Sequence, residues 1–153
     1  MKVLLAIDDS EFSRAATQTV IERALPRDAE VRVLHVIMPF EPLMGELGAQ
    51  IDTSAMYQAQ LIQGKALVDE AAQRLRAARL NVSTAIEEGD PKTKIIDHAR
   101  KWHADLIVLG SHGRKGLDRF LLGSVSEAVA RHASCSVEIV RVPAQQGVAA
   151  RAA

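Results

Sequence analysis

The chain has 153 residues, of which 48% are apolar and 25% charged, the balance of one ordinary globular domain with a sizeable core. Nineteen Lys plus Arg offset nineteen Asp plus Glu, which argues against a general affinity for nucleic acid or an anionic membrane surface. No stretch is long and apolar enough to span a bilayer, and Asp8 and Asp9 interrupt the N-terminal MKVLLAIDDS before it could act as a signal peptide. Cys135 is the single cysteine. No internal disulfide can form, so a reducing, cytoplasmic setting is expected, with Cys135 a small packed residue before a strand.

The first β-rich run is Val3 to Ile7. Asp8, Asp9 or Ser10 can then cap a helix from about Glu11 to Leu25, with Phe12, Ala16, Val20 and Ala24 on its inner face. Val31 to Ile37 reads as the second strand. Residues 38 to 53 hold Pro39, Pro42, Gly45 and Gly48 and read as a long loop. A long helix, about Ser54 to Arg79, follows, with Tyr57, Leu61, Gly64, Val68, Ala72 and Leu75 at helical spacing. Val82 to Glu87 is the third strand. Asp90-Pro91 starts a helix that reaches about His103, with Ile95, Ile96, Ala99 and Trp102 inward. Asp105 to Leu109 is the fourth strand, Ser124 to His132 the fourth helix and Val137 to Val142 the fifth strand. The expected domain covers residues 1–143, and residues 144–153 form a frayed tail.

Strands alternating with helices imply a parallel sheet covered on both faces. Five strands with right-handed crossovers commonly take the order 2-1-3-4-5 or 3-2-1-4-5. In either, strand one lies inside the sheet beside a reversal of winding, where ligands bind outside the strands' carboxyl ends. In the second order Asp8 and Gly110 stand at the two ends flanking that point.

The segment DLIVLGSHGRKGLDRFLLGSVS carries the strongest functional signal. A wholly apolar strand ends at Gly110, Gly113 follows, and Gly123-Ser124 opens a helix. Glycines let backbone N–H groups approach a phosphate, and a helix start favours negative charge. The spacing G-x2-G-x9-G-S is neither a Walker A loop, which needs Gly-Lys-Ser/Thr, nor the dinucleotide fingerprint G-x-G-x-x-G. Gly110 to Gly113 also fits the GxxG of a KH loop, but the order of elements around it is wrong for that RNA-binding fold.

With LLAIDDSEFS, VRVLHVI, EEGDP and ADLIVLGSHGRKGLDRFLLGSVSEAVARHASCSVEIV, the chain resembles the universal stress protein family over almost its whole length. In that family the pattern G-x2-G-x9-G-[S/T] marks the ATP-binding branch. The resemblance implies a doubly wound α/β fold with a five-stranded parallel sheet, order 3-2-1-4-5, and helices on both faces. It implies ATP as ligand, with Mg2+ or Mn2+. Ala6, Ile7 and Asp8 match the strand end that contacts adenine and ribose, and Val36 matches the residue whose backbone lies against adenine. Ala6 departs from the proline or similar residue that the branch often carries there. Leu109 and Gly110 match the floor under ribose and phosphates, while Gly113, Gly123, Ser124 and Val125 match the phosphate loop. Ser126 matches a Ser or Thr position near the terminal phosphates.

Other residues keep two readings. Asp8 stands near the ribose or a phosphate-bound Mg2+, or it caps the first helix, or both through different oxygens. His112 contacts phosphate or sits exposed. Arg114 and Lys115 screen a triphosphate or are solvated loop charges. His35, on a buried strand, reads as a satisfied core histidine. His98 and His103, five apart, do not share a helical face for a metal. Phosphoryl transfer needs an aligned nucleophile, charge stabilisation and usually a metal, and the sequence offers one plausible carboxylate. The expectation is a nucleotide-dependent regulatory switch. A slow ATPase on the same scaffold and an adaptor dimer without nucleotide are the alternatives. Apolar residues on both faces of strand 137–142, an uncovered edge, point to pairing, and the resemblance implies a homodimer through that strand. No nucleic-acid or membrane partner is expected, and a regulatory protein partner is unidentified.

Overall fold

The computed structural model describes residues 1–39, 53–113 and 122–142. Five strands and four helices alternate along the chain: β1 Lys2–Ala6, α1 Glu11–Glu22, β2 Glu30–Ile37, α2 Thr53–Ala77, β3 Asn81–Glu88, α3 Pro91–Trp102, β4 Leu106–Gly110, α4 Ser124–His132 and β5 Ser136–Val140. All strand pairs are parallel and the order is β3-β2-β1-β4-β5. Of the two orders open to the topology argument, this is the one that the resemblance implied.

The inner strands are apolar on both faces because both faces are covered. Val3, Leu5, Val31, Val33 and Val108 point to one side, where they pack with Ala16 and Val20 of α1 and Val68, Ala71 and Leu75 of α2. Leu4, Ala6, Leu34, Ile107 and Leu109 point to the other, against Ile95 and Ala99 of α3 and Val129 of α4. The helix faces follow from the sequence with one correction. On α1 the buried residues are Ser13, Ala16, Thr17 and Val20. Phe12 is half-buried, and Ala24 is exposed beyond the end of the helix. Small hydroxyl residues can take the inner face because their side chains bond nearby groups: Thr17 Oγ1 donates to Ser13 O at 2.9 Å.

Helix α3 begins as expected, with Asp90 accepting from Thr93 N at 3.2 Å and Pro91 in the first turn. Helices α2 and α3 are followed by Arg79 and His103 in the left-handed region, at φ 64 and 55. There the chain turns and Leu80 N and Ala104 N donate back to Leu75 O and Ala99 O. Strand β5 is shorter than expected. Its last register partner is Gly110 opposite Val140, so Arg141 and Val142 have no strand to pair with. The expected loop over 38–53 and the tail over 144–153 fall largely or wholly outside the described residues.

Candidate functional site

Strands β1 and β4 are neighbours, with Ala6 opposite Leu109. From β1 the chain winds outward in both directions, so the carboxyl ends of these two strands form the crevice of a doubly wound sheet. Ile7-Asp8 leave one strand and Gly110-Ser111 the other. Ala6, Ile7 and Leu109 are buried at these strand ends.

Gly110 and Gly113 sit where a side chain would collide, and Gly123 where one would be crowded. A Cβ on Gly110 would lie 2.5 Å from Phe12 Cβ and 2.9 Å from Phe12 C. Here glycine lets the first turn of α1 rest on the end of β4. A Cβ on Gly113 would lie 2.7 Å from Asp8 Oδ2, and one on Gly123 would lie 3.1 Å from Ser111 O and 3.3 Å from His112 Cα. The motif thus brings three chain segments together before any ligand is considered.

Ser111, which sequence reasoning passed over, is the joint. It is buried. Its N–H donates to Val140 O at 2.7 Å, and its carbonyl accepts from Gly123 N at 2.8 Å and from Ser126 Oγ at 2.8 Å. Ser126 Oγ also lies 2.9 Å from Gly123 O. Both sides of the loop are therefore held to each other and to the end of β5.

Asp8 is braced on one side. Oδ1 accepts from Ser10 N at 3.1 Å, from Ser10 Oγ and from Ser13 Oγ at 2.7 Å. Ser13 Oγ in turn accepts from Asp8 N at 2.8 Å. The N-cap of α1 is Ser10, which accepts from Ser13 N. Asp8 therefore supports the cap without being it, and Oδ2 is the oxygen next to Gly113. The spacing D-x-S-x-x-S is the local signal that could have revealed this arrangement, since Ser and Asp at helix starts bond backbone and one another.

Helix α4 starts differently. Ser10 and Asp90 supply side-chain caps to α1 and α3, whereas Gly123 at the start of α4 supplies none. Its first-turn amides, on Ser124, Val125 and Ser126, lack the side-chain acceptor that α1 and α3 have, at the end where the helix dipole favours an anion. Ser124 is exposed, Val125 half-buried and Ser126 buried. His112 packs its ring on Phe12, with centroids 5.3 Å apart, and its Nδ1 lies 3.2 Å from Ser111 Oγ. Arg114 and Lys115 lie outside the described residues.

Val36, half-buried against the core on the α3 and α4 side, pairs in register with Glu87. Ile7 N donates to Leu34 O at 2.9 Å, and Ile7 O accepts from His35 Nδ1 at 2.9 Å. His35 is thus a core histidine with a fixed partner, lying so close to α2 that a Cβ on Gly64 would meet its Cδ2 at 2.8 Å. His98 is not a ligand in waiting either, because its Nδ1 donates to Glu87 Oε1 at 2.9 Å. That hydrogen bond holds the Glu87 carboxyl below its ordinary range despite partial burial, with Lys94 adding a smaller effect. Burial pushes the Cys135 thiol up, and the nearby Asp105 charge adds to this. Among the described residues no group of three or more His, Cys, Asp or Glu could hold a metal ion, and no helix is long and apolar enough to cross a membrane.

Comparison with known proteins covers nearly the whole chain. The model of the family described as "Universal stress protein family" matches residues 1–141. Universal stress protein MJ0531 of Methanocaldococcus jannaschii is 31% identical over 147 residues, covering 95% of this chain and 84% of that protein. Among solved structures, that of hypothetical protein MJ0577 superposes with a TM-score of 0.79 at 27% identity, covering 92% of this chain and 95% of the other. Two more distant structures share the fold. One, a universal stress protein in complex with cAMP, has a TM-score of 0.68 at 24% identity over 92% of this chain and 96% of the other. The other, a family member from Arabidopsis thaliana with AMP bound, has a TM-score of 0.68 at 21% identity over 94% and 93%.

Proposed function

The chain belongs to the universal stress protein family, and from that membership we propose that it binds ATP in the crevice between β1 and β4 and acts as a nucleotide-dependent regulatory switch in the stress response. The observation that carries this reading is the start of α4. A glycine stands where α1 and α3 carry a capping side chain, and it packs against Ser111 and His112, the residues between the other two glycines of the motif. Phosphate oxygens satisfy such amides, and each charge-assisted hydrogen bond contributes about 1.5–3 kcal/mol. A micromolar complex needs about 8 kcal/mol net. Several such bonds together with adenine burial reach that level after immobilisation costs.

In this reading Gly113, Gly123, Ser124 and Val125 surround the phosphates, with His112, Arg114 and Ser126 beside them. Leu109 and Gly110 lie beneath the ribose, and Ala6, Ile7 and the backbone of Val36 border the adenine. Mg2+ or Mn2+ would enter with the phosphates, with Asp8 as the carboxylate among the described residues of the site that would face it. Asp8 suits this role because Oδ1 is already occupied by Ser10 and Ser13, so the carboxylate is held in place. The cAMP- and AMP-bound relatives are too distant to carry the ligand to this chain, but their ligands belong to the same chemical class.

The domain spans residues 1–143 with a C-terminal tail. It works in the cytoplasm as a homodimer joined along β5, and its output is a changed surface for a regulatory partner, with hydrolysis slow or incidental. The decisive experiment is direct: purify the full chain, denature it and identify any released adenine nucleotide, then titrate the refolded or apo protein with Mg·ATP. Saturable binding weakened by Gly123 or Asp8 substitution supports the switch. Multiple turnovers of radiolabelled ATP, lost in Asp8→Ala, would make it an ATPase. No nucleotide and no binding would leave an adaptor dimer.

A further inference from the structure

We infer that Ser126 is a positioning residue for this site and does not itself contact phosphate, an inference that rests on the nucleotide-binding reading above. The residue is 3% exposed. Its hydroxyl lies 2.8 Å from Ser111 O and 2.9 Å from Gly123 O, so its one proton is shared between two loop carbonyls. Those carbonyls belong to the two segments that must face the same phosphates. Ser111 precedes His112-Gly113, and Gly123 precedes the uncapped start of α4.

Without Oγ, Ser111 O retains Gly123 N and Gly123 O retains Glu127 N. What is lost is the link that reaches from inside the first turn of α4 back to the strand side of the loop. Gly123 packs closely on Ser111 and His112, where an added Cβ would lie 3.1 Å from Ser111 O and 3.3 Å from His112 Cα. A small relaxation of that packing redirects the α4 amides, and amide–phosphate bonds weaken steeply with misalignment. Ser124 is the contrasting case. It is exposed at the first helical position and makes no side-chain hydrogen bond to another described residue. Discrimination by length of the phosphate chain therefore belongs to Ser124, while Ser126, through the amides it aligns, sets the geometry for every phosphate-bearing ligand.

Calorimetric titration of the full chain with Mg·ATP and with AMP separates the two roles. The expected result is that Ser126→Ala weakens both ligands by the same factor, roughly tenfold, with faster hydrogen exchange at the Gly123 amide. Ser126→Thr, which keeps the hydroxyl, restores affinity, and Ser124→Ala weakens ATP more than AMP. Should Ser126→Ala fail to fold, Ser126→Cys has similar bulk and a weak donor and is expected to show a smaller but still equal loss. A loss confined to ATP would establish a direct terminal-phosphate contact and overturn the inference, as would wild-type affinity in Ser126→Ala. If the unmodified chain binds neither ligand, the nucleotide reading itself falls and takes this role with it, an outcome distinct from the other two.

Discussion

The absent side chain of Gly113 and the carboxylate of Asp8 compete for one space: a Cβ on residue 113 would stand 2.7 Å from Asp8 Oδ2. The carboxylate cannot simply swing aside, because three donors hold Oδ1. The glycine of the loop and the acid that follows the first strand are therefore one unit. Gly113→Ala should displace Asp8 and weaken Mg·ATP about tenfold, on the order of one charge-assisted hydrogen bond. Asp8→Ala should cost at least as much, and the double variant no more than Asp8→Ala alone. Additive losses in calorimetry would show that the two residues act separately.

Gly110 answers to packing. Its would-be Cβ meets the backbone carbon of Phe12 at 2.9 Å as well as its Cβ, so the first turn of α1 would have to move. Gly110→Ala should destabilise the fold by about 1–3 kcal/mol, the usual cost of overpacking, as read from urea unfolding. Gly123→Ala, whose nearest neighbour would lie at 3.1 Å, should cost less stability and more affinity.

The hydrogen bond from His98 lowers the Glu87 pKa below its ordinary value of 4.5. A carboxyl depressed in the folded state contributes stability above its unfolded pKa and loses that contribution as pH falls through the folded value. Glu87 is more than a third exposed, so screening holds the contribution to about 0.5 kcal/mol. Glu87→Gln should lower unfolding free energy near neutral pH by that amount. The difference from the parent chain should vanish below the folded pKa, as unfolding curves taken from neutral pH down into that acid range will show.

Strand β5 pairs with β4 on one side and has no partner on the other among the described residues. Ile139 packs partly on one core and Val140 partly on the other, so the strand is held in place as a ready edge. Light scattering should give a dimer mass for the parent chain and a monomer mass for Ile139→Asp or Val140→Asp, with the fold checked by circular dichroism. A parent chain that stays monomeric at high concentration would sink the dimer.

Much of the architecture was legible along the chain because it depends on local periodicity and local caps. Asp90-Pro91 marks the start of α3, and the expected ends of α2 and α3, Arg79 and His103, are the residues that take left-handed conformations just past those helices. The face of α1 was legible only in part. Apolar spacing selects Phe12, whereas the fold buries Ser13, whose hydroxyl satisfies Asp8 across five residues. Hydrophobic pattern carries no record of such a bond.

By itself the sequence determined that strands alternate with helices, that a glycine-rich turn joins a buried strand to a helix start, and that Asp8 follows the first strand, since each is written in the order of neighbouring residues. Only the tertiary structure decided which of two strand orders brings Asp8 beside Gly113, why residue 110 must lack a side chain, and that Ser126 turns its hydroxyl to Ser111. These depend on close approaches between segments from fifteen to more than a hundred residues apart, and such distances are set by how layers pack, which no local pattern encodes.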